Sequence, residues 1–178
     1  MTLPELLTTM SILAVVMTGI LTVFVGGLRA TTSMNARFQA QQNARLALSS
    51  LRYEVGFACS ATPVAPLQTS VQLVLPDATT HACSGNTTQV TWCAASATGL
   101  KPFGLYRLVG SGTCNASTGV KRAGSLDTNV VFPTPPSCPS GTRPQLLVSL
   151  PVNANLGTNS RIYTLSDAIT MRNASICP

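Results

Sequence analysis

Met1-Thr2-Leu3-Pro4-Glu5-Leu6-Leu7 opens the chain and leads into an apolar run that ends at Leu28. Glu5 stands at the head of a segment with no other charge before Arg29. Leu6 to Leu28 makes roughly 23 residues, or about 34 Å of helix at 1.5 Å per residue. That length crosses the hydrocarbon core of a bilayer. A secretory signal has a basic start, a shorter apolar core and a small-residue cleavage site. This segment lacks a basic start and runs straight into a polar helix, so it is expected to be retained.

Glu5 has two readings. In the first, Thr2 is an N-cap and Glu5 the third helical residue, so that Thr-x-x-Glu forms a capping box. Pro4 fits the first turn because its missing N–H would be unpaired there anyway. In the second, Glu5 also meets a positive charge inside an assembly. A carboxylate among apolar helices costs several kcal/mol unless paired. No Lys or Arg lies near it in sequence, which leaves the α-amine of Met1, in the same chain or in a neighbouring copy.

Thr2-Leu3-Pro4-Glu5-Leu6-Leu7 at the start of a processed chain, with the apolar run behind it, resembles the type IV pilins and the pseudopilins of type II secretion. In that family a prepilin peptidase removes a short basic leader. The new first residue, usually Phe and here Met1, is N-methylated, and a Glu stands at the position of Glu5. The resemblance covers about the first 58 residues well. Beyond them it is one of layout, faintly toward the larger J-type or W-type minor subunits. It is carried there by Gln41-Gln42-Asn43-Ala44-Arg45-Leu46-Ala47-Leu48 and by Arg172-Asn173. Many members carry a proline within the apolar helix, where the helix melts on assembly. This chain has Thr22 there, among Gly19, Gly26 and Gly27.

The periodicity predicts one long helix from residue 3 to about 57. Its first half, residues 1–28, is apolar all round, as a membrane or filament-core helix is. Gly19, Gly26 and Gly27 each weaken it by about 1 kcal/mol against Ala. These three are the candidate melting points, and ordinary membrane-helix composition explains them equally well. Thr8, Thr9, Ser11, Thr18 and Thr22 can bond back to the helix's own carbonyls. From 29 to 58 the helix is amphipathic. Met34, Phe38, Ala44, Leu48, Leu51, Val55 and Ala58 form one stripe on which a sheet is expected to pack, with Arg37, Arg45 and Arg52 off it.

The texture changes at residue 59. Eleven of the twelve prolines lie beyond it, and short apolar runs alternate with turn signals. Val71–Leu75, Thr88–Ala94, Leu105–Val109, Asn129–Phe132, Leu146–Val152 and Arg161–Met171 read as strands of an antiparallel sheet over 59–178. Pro76-Asp77, Ser84-Gly85-Asn86, Gly110-Ser111-Gly112, Ser117-Thr118-Gly119 and Pro133 to Pro144 read as loops, and the helix is expected to end near Cys59-Ser60, before Pro63 and Pro66. The expected class is α+β, with the long helix packed on a disulfide-stapled antiparallel sheet as in the pilin fold.

Charged residues make up only 9% of the 178 and the formal net charge is +6. The positive residues are spread from Arg29 to Arg172, a distribution that serves solubility or weak attraction to anionic partners such as nucleic acid. Six cysteines behind a membrane-length segment point to an oxidising compartment. There is no C-x-x-C and only one histidine, so a zinc site is not expected. Six cysteines allow fifteen connectivities. Local pairing gives Cys59–Cys83 at the helix end, Cys93–Cys114 around a strand, and Cys138–Cys177 anchoring the C-terminus.

No catalytic constellation is legible. Five acids are available, and Glu5 and Glu54 fall on the helix. Asp77 and His81 share a loop without a nucleophile, and Asp167 lies in the last strand region, where a turn or solvated position is expected. Asp127-Thr128-Asn129 could lend oxygens to calcium but lacks the ligands of an EF-hand. Nucleotide-binding and serine-nucleophile motifs are absent, and neither an enzyme nor a cofactor is expected. Asn86-Thr87-Thr88, Asn115-Ala116-Ser117 and Asn173-Ala174-Ser175 match the glycosylation pattern, which chance also produces in an Asn/Ser/Thr-rich chain.

The resemblance implies a structural subunit of an extracellular type IV pilus. It would sit in the cytoplasmic membrane first and then be lifted by an assembly ATPase and a platform protein into a homopolymer. Helices would bundle at the fibre axis, with Glu5 neutralising an N-terminal amine. Contacts with surfaces, phage or DNA, and adhesion, would fall to the sheet domain. The alternative is a minor pilin or pseudopilin that primes a pilus, secretion or DNA-uptake filament.

Overall fold

A computed structural model describes residues 2–64, 68–110, 112–153 and 162–177. Met1, Pro66, Ser111 and Arg161 lie outside the described residues. One helix, α1 (Leu3–Phe57), precedes seven strands: β1 (Ser60–Val64), β2 (Ser70–Leu75), β3 (Thr88–Ala95), β4 (Phe103–Val109), β5 (Val120–Leu126), β6 (Gln145–Val152) and β7 (Tyr163–Thr170). All pair antiparallel, each with the next in sequence. The class is α+β, a long N-terminal helix packed on a curled antiparallel sheet with three disulfides. Two compact units are distinguished, residues 1–38 and residues 39–178.

In the second unit, Ala44, Ala47, Leu48, Leu51 and Val55 of α1 are buried against the inward-facing side of the sheet. Period-two alternation supplies Val71 and Leu73 of β2, Val90 and Trp92 of β3, Leu105 of β4, and Leu146, Val148 and Leu150 of β6. The stripe expected on α1 also included Met34 and Phe38, but these are 70% and 60% exposed. Burial starts at Ala40 instead. Periodicity fixes which face is apolar and not how far the sheet reaches. An eight-residue strand spans about 26 Å, the length of about 18 helical residues, and the buried span from Ala40 onward is of that size.

One expected strand is absent and two further strands are present. Asn129–Phe132 is not a strand, although Val131 and Phe132 are buried. Their N–H groups both donate to the Gln68 carbonyl, and the Val131 carbonyl accepts from Ser149 N–H. The segment is thus an apolar plug beside β6. β1 and β5 were not legible. β1 contains Pro63, which an edge strand tolerates because it needs no outward donor. β5 reads Val120-Lys121-Arg122-Ala123-Gly124-Ser125-Leu126, too polar to stand out, and its pairing with β4 shifts register near Leu105.

The sheet is joined by few bonds between its first five strands and its last two. Between β5 and β6 the paired residues are Leu126 and Val152, flanked by Asp127 N–H to Pro151 O and Asn153 N–H to Ser125 O. Asp127 reinforces this joint. Lys101 Nζ donates to its Oδ2 at 2.9 Å and Asn153 Nδ2 to its Oδ1 at 3.1 Å.

The structure joins Cys59 to Cys83, Cys93 to Cys114 and Cys138 to Cys177, the pairing expected from locality. Cys93 pairs across the ladder with Tyr106, so its bridge to Cys114 pins the β4–β5 connection over the Tyr106 side chain. The fit there is close. A Cβ on Gly119 would lie 2.8 Å from Tyr106 Cβ and 3.2 Å from the Asn115 carbonyl oxygen.

Candidate functional site

The head of α1 carries half of the capping box that the first reading of Glu5 describes. Its Oε2 accepts a hydrogen bond from Thr2 N–H at 3.2 Å. The Thr2 carbonyl accepts from the Glu5 and Leu6 N–H groups at 3.0 and 3.3 Å. This is the backward half of a capping box, and it satisfies a donor that the helix leaves open. Among the described residues no cation lies within ion-pair distance of Glu5. Met1, the other residue of this candidate site, lies outside them.

The shaft behind the cap is helical without a break. Thr8, Thr9, Ser11, Thr18 and Thr22 each donate a hydroxyl hydrogen to a carbonyl three or four residues back, at 2.8 to 3.0 Å. These polar groups are therefore satisfied within the helix itself and cost little in an apolar surrounding. Gly19, Gly26 and Gly27 are helical here, with open space where a side chain would be. Leu3, Ile12, Val15, Val23 and Phe24 are more than 60% exposed. The helix is long and apolar enough to cross a membrane by length and composition.

Within the second unit, α1 is fastened on both flanks. On one, Glu54 accepts from Trp92 Nε1–H and from Arg107 Nε–H, each at 2.7 Å and one per carboxylate oxygen. Both side chains of the ion pair are largely buried. On the other flank Arg52 Nε donates to Asp167 Oδ2 at 2.8 Å, and Arg45 Nη2 to the Tyr163 hydroxyl at 3.2 Å. Asp167 is therefore not at a turn. It stands on β7, alternating in register with Tyr163, Leu165 and Ile169, and its charge faces the helix. An inward-facing charge on an edge strand also discourages pairing with foreign strands.

The C-terminal end of α1 is closed by Arg172 and Asn173, the dipeptide singled out in the sequence. Arg172 N–H donates to the Gly56 carbonyl at 2.9 Å, and Asn173 Nδ2 to the Phe57 carbonyl at 3.0 Å. Helix carbonyls that have no partner of their own are satisfied from the far end of the chain.

The remaining acids serve loops. Asp77 Oδ1 accepts from the Thr79 and Thr80 N–H groups at 2.7 and 3.0 Å. Those backbone bonds, Thr80 first, hold its carboxyl below the usual range. His81 is exposed in the same turn. The Asp127 carboxyl is lowered as well, by the hydrogen bond from Lys101 first and that from Asn153 next. Both oxygens of Asp127 are thus occupied, which argues against the calcium reading. Among the described residues no His, Cys, Asp and Glu group of three or more could hold a metal. Four of the five acids thereby hold the second unit together, and Glu5 caps the head of α1.

The three glycosylation matches separate in the structure. The Asn115 Oδ1 accepts from Ser117 N–H and Thr118 N–H at 2.8 and 2.9 Å and shapes its own turn. Asn173 caps α1 through the nitrogen a sugar would occupy. Asn86 is exposed in the turn after Gly85. The sequence reading did not find the pairing of Glu54 with Trp92 and Arg107. A lone buried-type aromatic with an N–H to satisfy was the available signal. Comparisons with family models, curated proteins and solved structures each find no match.

Proposed function

We propose that the chain is a structural subunit of an extracellular type IV pilus, its major pilin, assembled by bundling of the apolar helix. One observation carries the reading. A capped helix, uncharged from Leu6 to Leu28 and with its large apolar side chains exposed in the single subunit, continues as the same element into a helix buried against a sheet. Such a segment needs apolar surroundings. A bilayer supplies them before assembly, and neighbouring copies supply them afterwards.

In this reading Glu5 has two roles. Its backward hydrogen bond caps the helix, and its charge neutralises the α-amine of Met1 in a dry helix bundle, setting the axial register. A prepilin peptidase, an assembly ATPase and a platform protein are the implied partners. The subunit passes from the cytoplasmic membrane to the cell-surface filament, and the sheet domain carries adhesion or other contacts.

The test is the composition of filaments sheared from the native cell, by mass spectrometry with imaging of the same sample. The proposal expects this chain to dominate, beginning at a methylated Met1. Glu5→Val is expected to enter the membrane and to yield few or no fibres. Normal fibres from that variant would remove Glu5 from the mechanism. A trace of this chain beside an abundant pilin would instead favour a priming subunit.

A further inference from the structure

The positive residues look scattered in the sequence, and the fold gathers four of them around one exposed aromatic pair. Tyr53 and Phe57, one helical turn apart on α1, are 68% and 49% exposed with ring centroids 4.8 Å apart. Tyr53 lines two grooves, one on each flank of the helix. Arg107 and Arg122 line the first, and Arg52 and Arg172 the second.

Among the described residues the only carboxylates in these grooves are Glu54 and Asp167. Each is already paired, with Arg107 and Arg52 respectively. Among the described residues Arg122 and Arg172 have no carboxylate within 4 Å. The other acids of this unit, Asp77 and Asp127, are held by a turn and by the sheet joint. The face therefore sets four arginines against two carboxylates, and Arg122 and Arg172 are the ones left uncompensated.

We infer that this face binds single-stranded nucleic acid. Phosphates would run toward Arg122 and Arg172, and a base would stack on the Tyr53–Phe57 pair. Charge alone would fit any polyanion. The exposed rings between the cationic grooves select one that presents planar π-faces, as unpaired bases do and duplex DNA or a sulfated sugar does not. The face is open on a single subunit, and copies packed along α1 would cover it. Binding thus belongs to a subunit in the membrane or at a fibre end. It does not rest on the chain being a major pilin.

The experiment uses the full chain in detergent micelles and a fluorescein-labelled oligothymidine, read by anisotropy, with a mixed-sequence duplex and heparin as competitors. The expected order is oligothymidine above duplex and heparin. Tyr53→Ala should weaken oligothymidine binding roughly tenfold, the effect of one lost base–aromatic stack. Tyr53→Phe should retain it, which separates stacking from misfolding. Arg122→Ala with Arg172→Ala should reduce the slope of log affinity on log salt by about 0.7 for each lost phosphate contact. Absence of binding at low salt would overturn the inference. So would equal competition by heparin together with an unchanged affinity in Tyr53→Ala, which would leave a face that recognises charge only.

Discussion

Glu54 and Trp92 meet at 2.7 Å, carboxylate oxygen to indole nitrogen, and this contact ties the long helix to the middle of the sheet. Trp92 is fully buried, so its N–H has no access to water and must find a protein acceptor. The second Glu54 oxygen takes the Arg107 Nε–H at the same distance. One carboxylate thus satisfies a neutral donor and a cation from adjacent strands β3 and β4.

Removing Glu54 leaves two donors unmet. Glu54→Ala is expected to destabilise the domain by about 3 kcal/mol, as for breaking a largely buried pair by deleting one partner. Glu54→Gln keeps an acceptor for Trp92 and should cost roughly half as much. Urea unfolding followed by Trp92 fluorescence reads both. By contrast, Arg52→Ala at the more exposed pair with Asp167 should cost under about 1 kcal/mol, an effect that shrinks with salt.

Asn173→Ala removes the side chain that closes the helix at Phe57. The expected cost is about 1 kcal/mol, concentrated locally. Hydrogen exchange should quicken in the last turn of α1 while β3 and β4 keep their protection. Uniform loss of protection would show that the cap is not a local device.

Gly119→Ala places a methyl group against Tyr106 Cβ and the Asn115 carbonyl. The loop there is held by the Cys93–Cys114 bridge and cannot retreat freely. A loss of about 1–3 kcal/mol is expected from overpacking. Gly85→Ser is not a matching control, since its positive φ brings strain of its own. Gly56→Ala, within α1 and with open space at its Cβ, is the unobstructed comparison and should gain up to about 1 kcal/mol from helix propensity.

Asp127 should leave a signature in acid. Its folded-state pKa is lowered from the ordinary 3.8, so its contribution is complete above that value and is lost as pH falls through the lower folded one. Asp127→Asn should therefore show a flatter loss of stability below about pH 4. Thermal melts across that range test it. Asp77 shifts in the same direction, so the wild-type slope contains both and only the variant isolates Asp127.

The sequence by itself determined the class, one long helix followed by an antiparallel sheet. A run of apolar residues from Leu6 to Leu28 has few conformations open to it other than a helix, and the i, i+3, i+4 recurrence of Ala44, Leu48, Leu51 and Val55 continues that helix with one buried face. Pairing the cysteines locally, one choice among fifteen, agrees with the three bridges of the structure, which are 21 to 39 residues apart in sequence. Tertiary structure decided the rest. Met34 and Phe38 share the apolar periodicity yet stay exposed, since the reach of the sheet is a property of strands distant in sequence. β5 is held as a strand by β4 and not by its own composition. The partners of Glu54, Asp127 and Asp167, and the gathering of Arg52, Arg107, Arg122 and Arg172 around Tyr53, depend on contacts across 26 to more than 100 residues. Side-chain hydrogen bonds and charge pairs act over a few ångströms in space, and only the folded chain sets which groups come that close.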